Sequence, residues 1–396
     1  RKIHVYQDIV QVQYKILGTH KKLYVLLGDS YNDITPIRTT TSAGDVTFAA
    51  TNGSSTITAT DTSHGAVAGD FVTFSGAASL GGNITATVLN QEYQIDAVPN
   101  SDTFTFTATA TANSSDTGNG GSSIVGVYQL NSGLDSYVSS TGWGAGTWGA
   151  GTWGSTTALS FANQLRLWSI DNFGDDTVLN PRSGGIFYWD ESSGTGTRAV
   201  NVTTKAGASD VPTIALQTMV SDVDRHVITF GCNPVGSSTL DPLLVRFSDT
   251  ESITDWTPTA TNQAGGVQLS MGSTIIGALQ TRQEILIWTD AGIISMRFVG
   301  APFVFSFNEV AQGPSLISPN AAVSANNSVY FMDNGGFYVY SGSAQRLPCT
   351  VLDYVLSDLN QGQAFKIFGA VNDSANEIMW FYPSKDSSEI DRYVLY

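Results

Sequence analysis

The chain has 396 residues, of which 41% are hydrophobic and only 13% charged, and its formal net charge is −16. A charged fraction so far below the usual quarter indicates surface that is buried against partner subunits rather than exposed to water. No run of about 18 apolar residues occurs, which excludes a membrane-spanning helix. The lack of long helical periodicity, together with 40 glycines, predicts an all-β protein.

Six short segments share one layout: an apolar and aromatic strand, a turn containing Asp, Asn, Ser or Gly, and a second apolar strand. They are Lys22–Arg38, Gly185–Val200, Leu243–Pro258, Ile285–Gly300, Ser328–Pro348 and Glu377–Tyr396. An isolated hairpin is marginal in water because it cannot bury its apolar face. Radial stacking buries such faces, so the repeat predicts a β-propeller, which we expect to have six blades, with seven or eight as the alternatives.

The first 38 residues predict the opening strands of this propeller, with one or two strands over Arg1–Leu17. From Thr39 the composition changes to Thr, Ala, Ser, Gly and Val in regular polar–apolar alternation, which is typical of half-buried antiparallel strands. Residues 39–121 therefore predict an inserted β module, a small sandwich or barrel. Its predicted strands contain Val46–Phe48, Ser55–Thr58, Asp70–Phe74, Tyr93–Ile95 and Thr103–Thr107. Residues 122–396 predict the rest of the propeller, and Asp353–Phe368 is the best helix candidate.

The charge is unevenly distributed along the chain. Lys and Arg are absent from Thr39 to Leu165, a stretch that contains Asp45, Asp61, Asp70, Glu92, Asp96, Asp102, Asp116 and Asp135. Such a surface cannot neutralise phosphates, so tight binding of nucleic acid is not expected there. Two interpretations stay open: a solvated acidic face that keeps the protein soluble, and a wall that repels DNA so that DNA slides past.

Three tryptophans, Trp143, Trp148 and Trp153, repeat every five residues in a WGAGT sequence. Neither a strand nor a helix places residues five apart on one side. The repeat is either a Gly-rich loop whose tryptophans anchor into nearby blades, or a docking surface for a partner protein or a sugar.

Motifs for catalysis are not found in the sequence. Its histidines are His4, His20, His64 and His226; Asp224 stands two positions before His226, but a Ser–His–Asp arrangement needs a third partner. No GxSxG, P-loop, HExxH or EF-hand loop occurs. Cys232 and Cys349 belong to no CxxC pair or Cys/His cluster, so we expect two lone thiols and no metal site. We predict no catalytic residue and no cofactor.

One segment, Ser248–Trp256, approaches the Asp-box turn of sialidase propellers, but it lacks the Gly and its Asp–Trp spacing differs. Asp249 and Asp255 are expected to be turn formers that accept hydrogen bonds from backbone N–H groups. Paired carboxylates for glycoside cleavage stay open, since nothing in the sequence selects a pair.

The segment Ser318–Tyr396 resembles the C-terminal propeller part of tail nozzle proteins from short-tailed bacteriophages, which are also called packaged-DNA stabilisation or tail tubular B-type proteins. The segments that carry the resemblance are Ser328–Gly342, Leu347–Gln363, Asn376–Pro383 and Ile390–Tyr396, with Val245–Thr259, Thr281–Asp290, Asn180–Asp190 and the WGAGTW run upstream. Residues 39–121 are outside it.

This resemblance implies a structural virion protein without catalytic residues. It implies a ring, typically of six copies, that lies below the head-to-tail adaptor in the phage tail and is assembled in the host cytoplasm. DNA passes through the ring without tight binding, and a tail fibre, spike or needle protein is a further partner. The alternatives are a tail-associated carbohydrate-binding protein or a glycosidase or depolymerase with a propeller fold. A further alternative, compatible with the nozzle role, is that residues 39–121 form a binding module that contacts the host surface or a neighbouring tail fibre. Deleting this module should then spare assembly but impair adsorption or fibre attachment.

Overall fold

The structure, a computed structural model, describes residues 2–137, 161 and 164–396. These residues form two compact units. The first unit consists of the described residues within Arg1–Leu134, Ser160–Arg166 and Trp189–Val200. The second consists of those within Asp135–Leu159, Leu167–Tyr188 and Asn201–Tyr396.

The first unit begins with a four-stranded antiparallel meander, called blade 1. Its strands are β1 (Lys2–Gln7), β2 (Gln13–Gly18), β3 (Leu23–Leu27) and β4 (Ser30–Asp33), paired in chain order. Alternation along the strands buries one face, which carries Tyr6, Tyr14, Ile16 and Val25. The opposite face is mixed: Ile3 and Val5 on β1 are exposed there beside Gln13 and Lys15 of β2.

The inserted module is an eight-stranded sheet with one short helix. Its elements are β5 (Ile37–Thr40), β6 (Thr47–Ala50), β7 (Thr56–Thr60), β8 (Phe71–Ser75), α1 (Ala86–Leu89), β9 (Glu92–Asn100), β10 (Thr103–Thr107), β11 (Asp116–Asn119) and β12 (Val125–Gln129). The strand order is β11-β6-β7-β10-β9-β8-β12-β5. All five strands predicted for this module are present.

The long strand β9 joins the two halves of this sheet. Its first residues pair with β8, and the part from Ile95 onward pairs with β10 through irregular register. Aromatic rings from both halves meet in the core, where the Phe48 and Phe74 centroids are 4.8 Å apart. The module therefore has a core of its own.

The remaining described strands form five further antiparallel meanders, blades 2 to 6. Blade 2 has β13 (Trp168–Phe173), β14 (Asp176–Pro181), β15 (Phe187–Trp189) and β16 (Val200–Asn201), with 3-10 helices at Glu191–Ser193 and Val202–Thr204. Blade 3 has β17 (Ala215–Val220), β18 (Val227–Cys232), β19 (Asp241–Phe247) and β20 (Gly265–Gln268). Blade 4 has β21 (Ile275–Gln280), β22 (Ile285–Thr289), β23 (Gly292–Gly300) and β24 (Val304–Gln312).

Blade 5 has β25 (Ala322–Ala325), β26 (Ser328–Asp333), β27 (Gly336–Tyr340) and β28 (Ala344–Arg346). Helix α2 (Leu352–Asp358) and a 3-10 helix at Gln361–Lys366 follow, and both overlap the predicted helical segment Asp353–Phe368. Blade 6 has β29 (Phe368–Asn372), β30 (Glu377–Tyr382) and β31 (Arg392–Leu395).

These sheets confirm the predicted fold class: over the described residues the protein is an all-β, six-bladed β-propeller with an inserted β module. One predicted hairpin is wrong. Leu243–Pro258 contains β19, but its second half is a turn-rich segment because Ser252, Asp255 and Trp256 form local hydrogen bonds instead of a strand. None of the helices in the described part of the chain has the length and apolarity needed to cross a membrane.

Candidate functional site

A cavity of about 620 Å³ opens at one end of blades 4, 5 and 6. It is lined by the β21–β22 turn of blade 4, the β25–β26 and β27–β28 turns of blade 5, and the β29–β30 turn of blade 6. The polar residues that these turns and their strands place on its wall are Thr281, Arg282, Gln283, Glu284, Arg297, Ser324, Asn326, Asn327, Tyr340, Ser341 and Asp373. Asn326 and Asn327 have positive φ, which the tight turn between β25 and β26 requires.

Glu284 is the most strongly bonded carboxylate of this cavity. Its Oε2 accepts hydrogen bonds from Arg297 Nε at 3.0 Å and Nη2 at 2.9 Å, and from the hydroxyl of Ser295. Its Oε1 accepts a 2.9 Å bond from the hydroxyl of Tyr340. The Glu284 side chain is 8% exposed, so the carboxylate is desolvated and bonded on both oxygens.

These contacts determine the protonation states of Glu284 and Tyr340. Burial acts to raise the pKa of Glu284, but the hydrogen bonds from Ser295, Arg297 and Tyr340 outweigh it and lower the pKa below its ordinary value. Burial first, and the bond to Glu284 second, raise the pKa of Tyr340 to about 12. At neutral pH Glu284 is therefore ionised and Tyr340 protonated.

The lowered pKa of Glu284 does not suit a general acid, which needs a raised one. The pair holds the wall of a polar cavity in place. Its exposed groups, such as the Arg282 and Arg297 guanidinium groups and the Asn326 and Asn327 amides, can form hydrogen bonds with a polar ligand.

His226 and Asp224, the pair noted in the sequence, lie in the turn before β18. The His226 ring is buried, and its Nδ1 is 2.6 Å from the Ser248 carbonyl oxygen, to which it donates. Its Nε2 lies 3.2 Å from Thr250 Oγ1 and 3.5 Å from Asp224 Oδ2. Ser221 bonds Asp224 rather than the imidazole. In a catalytic triad the serine hydroxyl bonds the imidazole. The Ser221 hydroxyl does not, so Ser221, His226 and Asp224 do not form a triad.

The tryptophans predicted to dock a partner, Trp143, Trp148 and Trp153, lie outside the described residues. Asp249 does bond a backbone amide, that of Gln263 at 2.8 Å. Asp255 accepts a hydrogen bond from the backbone amide of Thr257, and also from the side chains of Ser209 at 3.0 Å and Asn262 at 3.0 Å.

Only some of the acidic residues between Thr39 and Leu165 lie at the surface. Asp70 is buried and accepts bonds from the amides of Val67 and Ser132, and buried Asp61 accepts a 2.6 Å bond from Tyr128. Glu92 lies in an ion network with Lys22. Asp61 and Asp70 are therefore internal hydrogen-bond acceptors and do not belong to a solvated acidic face.

Both thiols are free. Cys232 is buried, which raises its pKa to about 11, and Cys349 is half-buried. Among the residues that the structure describes, no cluster of three or more His, Cys, Asp or Glu side chains could hold a metal ion.

Sequence reasoning missed Glu284, Arg297 and Tyr340. A weak signal existed for Arg297, because it is two positions after Ser295 on β23 and the two side chains therefore share a face of the sheet. Tyr340 comes from a different blade, 56 residues after Glu284, and local pattern carries no information about that approach.

No protein-family model matches the sequence, and no curated protein matches it. Among solved structures, the phage phi92 endosialidase is similar at 13% identity and a TM-score of 0.25, over 97% of this chain and 53% of the endosialidase. A gluconolactonase from Xanthomonas campestris is similar at 11% identity and a TM-score of 0.30, over 52% of this chain and 65% of the enzyme. PorZ, from the type-IX secretion system of Porphyromonas gingivalis, has 10% identity and a TM-score of 0.37, over 93% of this chain and 43% of PorZ.

The chain thus spans about half the length of the endosialidase and just under two thirds of the gluconolactonase. At these identities and TM-scores the similarities carry no argument about activity.

Proposed function

We propose that the protein is a structural virion subunit, the tail nozzle of a short-tailed bacteriophage. In this role a ring of copies, typically six, continues the DNA channel below the head-to-tail adaptor, retains packaged DNA and guides its ejection. The observation that carries the proposal is the fold. Three of the segments that resemble the nozzle family, Ser328–Gly342, Asn376–Pro383 and Ile390–Tyr396, contain strands of blades 5 and 6 of a propeller, and the fourth, Leu347–Gln363, contains helix α2 between these blades.

Two features of the chain support an assembled state. Only 13% of its residues are charged. Large apolar side chains are exposed at the β1–β2 turn of blade 1, where Ile9 is 84% and Val10 72% exposed. Apolar surface without charge is typical of subunit interfaces, and a ring needs heterologous contacts that close.

The test is a mass and shape determination. The full-length protein is mixed with the adaptor ring of its own virion and examined by mass photometry and negative-stain microscopy. A six-fold ring with a central channel, stacked on the adaptor, is expected. A monomer, or a trimer that does not bind the adaptor, contradicts the proposal.

A second candidate, a carbohydrate-binding tail protein, is favoured by the polar cavity at the end of blades 4 to 6. Its convergent guanidinium and amide groups are of the kind that bind polar ligands. A glycan array with the native chain and the Arg282→Ala variant tests this, with Lys385→Ala, outside the cavity, as the matched control. Binding that Arg282→Ala alone removes supports the candidate, and no glycan bound contradicts it. Release of reducing ends from host polysaccharide would instead indicate a depolymerase.

A further inference from the structure

The polar cavity at the end of blades 4, 5 and 6 has its charges separated by blade. Both cations of its wall, Arg282 and Arg297, come from blade 4. Blade 5 contributes uncharged groups such as the Asn327 amide, and blade 6 contributes the Asp373 carboxylate. The other carboxylate, Glu284, already accepts hydrogen bonds on both oxygens. The groups open to a ligand therefore change from positive at blade 4 to negative at blade 6.

Arg297 is held in place with one end of its guanidinium group free. Its Nε and Nη2 donate to Glu284 Oε2, whereas its Nη1 bonds none of the residues that the structure describes. The side chain is 53% exposed. Because Glu284 fixes the guanidinium beforehand, less entropy is lost when a ligand binds to the free end. That end can donate two parallel hydrogen bonds to an anion such as a carboxylate.

Arg282 and Asp373 are charged groups without a partner in the described part of the chain. Both lie in exposed turns, and neither side chain forms a hydrogen bond or an ion pair there. The turns around them are connected, since Asn326 Nδ2 donates a 2.8 Å bond to Asn376 Oδ1 and so joins the β25–β26 turn to the β29–β30 turn. Opposite charges that line one cavity and do not pair with each other leave both groups available to a ligand.

The size and lining of the cavity indicate a ligand with several hydroxyl groups. Its volume of about 620 Å³ is in the usual range for an organic ligand, about 300–1,000 Å³. Asn327 and Ser341 place amide and hydroxyl groups on its wall, and such groups bond hydroxyls as donors or as acceptors. The net charge of the chain, −16, repels anions at long range, so selection of an anion has to come from contacts within the cavity.

We infer that this cavity binds an acidic saccharide, with the carboxylate or sulfate group of the sugar at Arg282 and Arg297 and its hydroxyl groups at Asn327 and Asp373. Carboxylate and sulfate present the same chemistry to a guanidinium group, because both offer two oxygens to parallel N–H donors. The inference rests on saccharide binding, the second candidate function above, and is independent of the nozzle role.

The test compares acidic oligosaccharides with their own neutral forms. Uronic acid oligomers are paired with the carboxyl-reduced sugar, and sulfated oligomers with the desulfated sugar. Each is titrated into the full chain by calorimetry at low and at physiological salt. At least one acidic form should bind about tenfold or more tightly than its neutral form. Salt should reduce this ratio, because both guanidinium groups are exposed. The two pairs show which acid group the cavity takes.

Four variants locate the binding. Arg282→Gln and Arg297→Gln should each reduce the acidic-to-neutral affinity ratio by about threefold or more. Asp373→Asn should weaken both forms of the sugar without lowering the ratio, because it removes a hydroxyl acceptor and a negative charge. Lys385→Gln removes an exposed positive charge outside the cavity, and as the control it should leave the ratio unchanged. If Arg297→Gln fails to fold, Arg282→Gln, at an exposed turn, decides the question.

Three results overturn the inference. Equal affinity for acidic and neutral forms would refute the acid preference and leave saccharide binding intact. An equal reduction of the ratio by Lys385→Gln and Arg282→Gln would place the acid group outside the cavity. No saturable binding of any sugar would contradict both the inference and the second candidate function, whereas ring formation on the adaptor is measured separately and alone decides the nozzle role.

Discussion

The hydroxyl of Tyr340 donates a 2.9 Å hydrogen bond to Oε1 of Glu284, so a side chain of blade 5 stabilises a carboxylate of blade 4. The bond joins two sheets of the second unit at the wall of the polar cavity. The contribution of this bond to stability depends on burial. The ionised Glu284 carboxylate is 8% exposed, so it costs free energy to leave it without its hydrogen-bond donors.

Replacing this donor should therefore reduce stability. Tyr340→Phe removes the hydroxyl and keeps the ring, and we expect the free energy of unfolding to fall by about 1.5 kcal/mol, as for other hydrogen bonds to charged groups. Urea denaturation measures the change. Tyr338→Phe on the same strand, whose ring stacks on Phe331, is the control and should change stability by less than about 0.5 kcal/mol. Equal losses in both variants would show that the bond contributes nothing specific.

The same carboxylate should make stability depend on pH. The folded-state pKa of Glu284 is lower than its ordinary value of 4.5, so its contribution is present above that value and is lost as pH falls through the folded pKa. The difference in unfolding free energy between the native chain and Glu284→Gln should be largest near about pH 7 and shrink below about pH 4. Denaturation curves at both pH values measure it, with Glu309→Gln, an exposed carboxylate on β24, as the control. A difference that grows at low pH would contradict the assignment.

Arg246 is a buried cation in blade 3. Its guanidinium donates to the carbonyl oxygens of Asp210 at 2.7 Å, Asn233 at 3.1 Å and Trp256 at 3.2 Å. Arg246→Met keeps the apolar stem but leaves these carbonyls without that donor, so we expect a loss of about 2–4 kcal/mol. Thermal unfolding measures it. Arg282→Met, at an exposed turn, should be close to neutral, and a neutral Arg246→Met would show that the carbonyl groups find other donors.

Lys22 is the corresponding cation of the first unit. Its Nζ lies 2.9 Å from Asp33 Oδ2, contacts Glu92, and is 4.2 Å from the Phe71 ring centroid. Lys22→Met leaves two partly buried carboxylates with less compensation, and we expect a loss of about 2–4 kcal/mol. The neighbouring exposed Lys21→Met is the control. If high salt removed the difference in unfolding free energy between Lys22→Met and the native chain, the ion pairs of Lys22 would be solvent-exposed instead.

Local pattern predicted the strands well. Ile285–Gly300 and Ser328–Pro348 became β22–β23 and β26–β27–β28, because alternation and a Gly- or Asn-containing turn specify a hairpin within a few residues. Leu243–Pro258 failed for an equally local reason: Asp and Ser side chains compete with strand pairing, and Ser252 bonds the amides of Thr254 and Asp255. Helix α1 was not predicted, since four residues give no measurable periodicity.

The site could not be predicted in the same way. Glu284 and Tyr340 belong to separate blades, and Arg246 looks like an ordinary polar residue of an alternating strand. The packing of the chain brings these side chains to their hydrogen-bond partners. The prediction of an acidic surface was wrong for Asp61 and Asp70, which are internal hydrogen-bond acceptors. The sequence shows the charge of a side chain but not the side of the sheet on which that side chain lies.

The different loop lengths of the sheets have a kinetic consequence. A hairpin such as β26–β27 closes over two residues, since Asp333 pairs with Gly336, and each blade can form as soon as its own residues leave the ribosome. The module is closed only when β12 reaches β5, and the bond from the Gly126 amide to Thr41 Oγ1 joins groups 85 residues apart. Closing that loop carries a larger entropic cost than closing a hairpin, so the inserted module should fold more slowly than a single hairpin of blade 1.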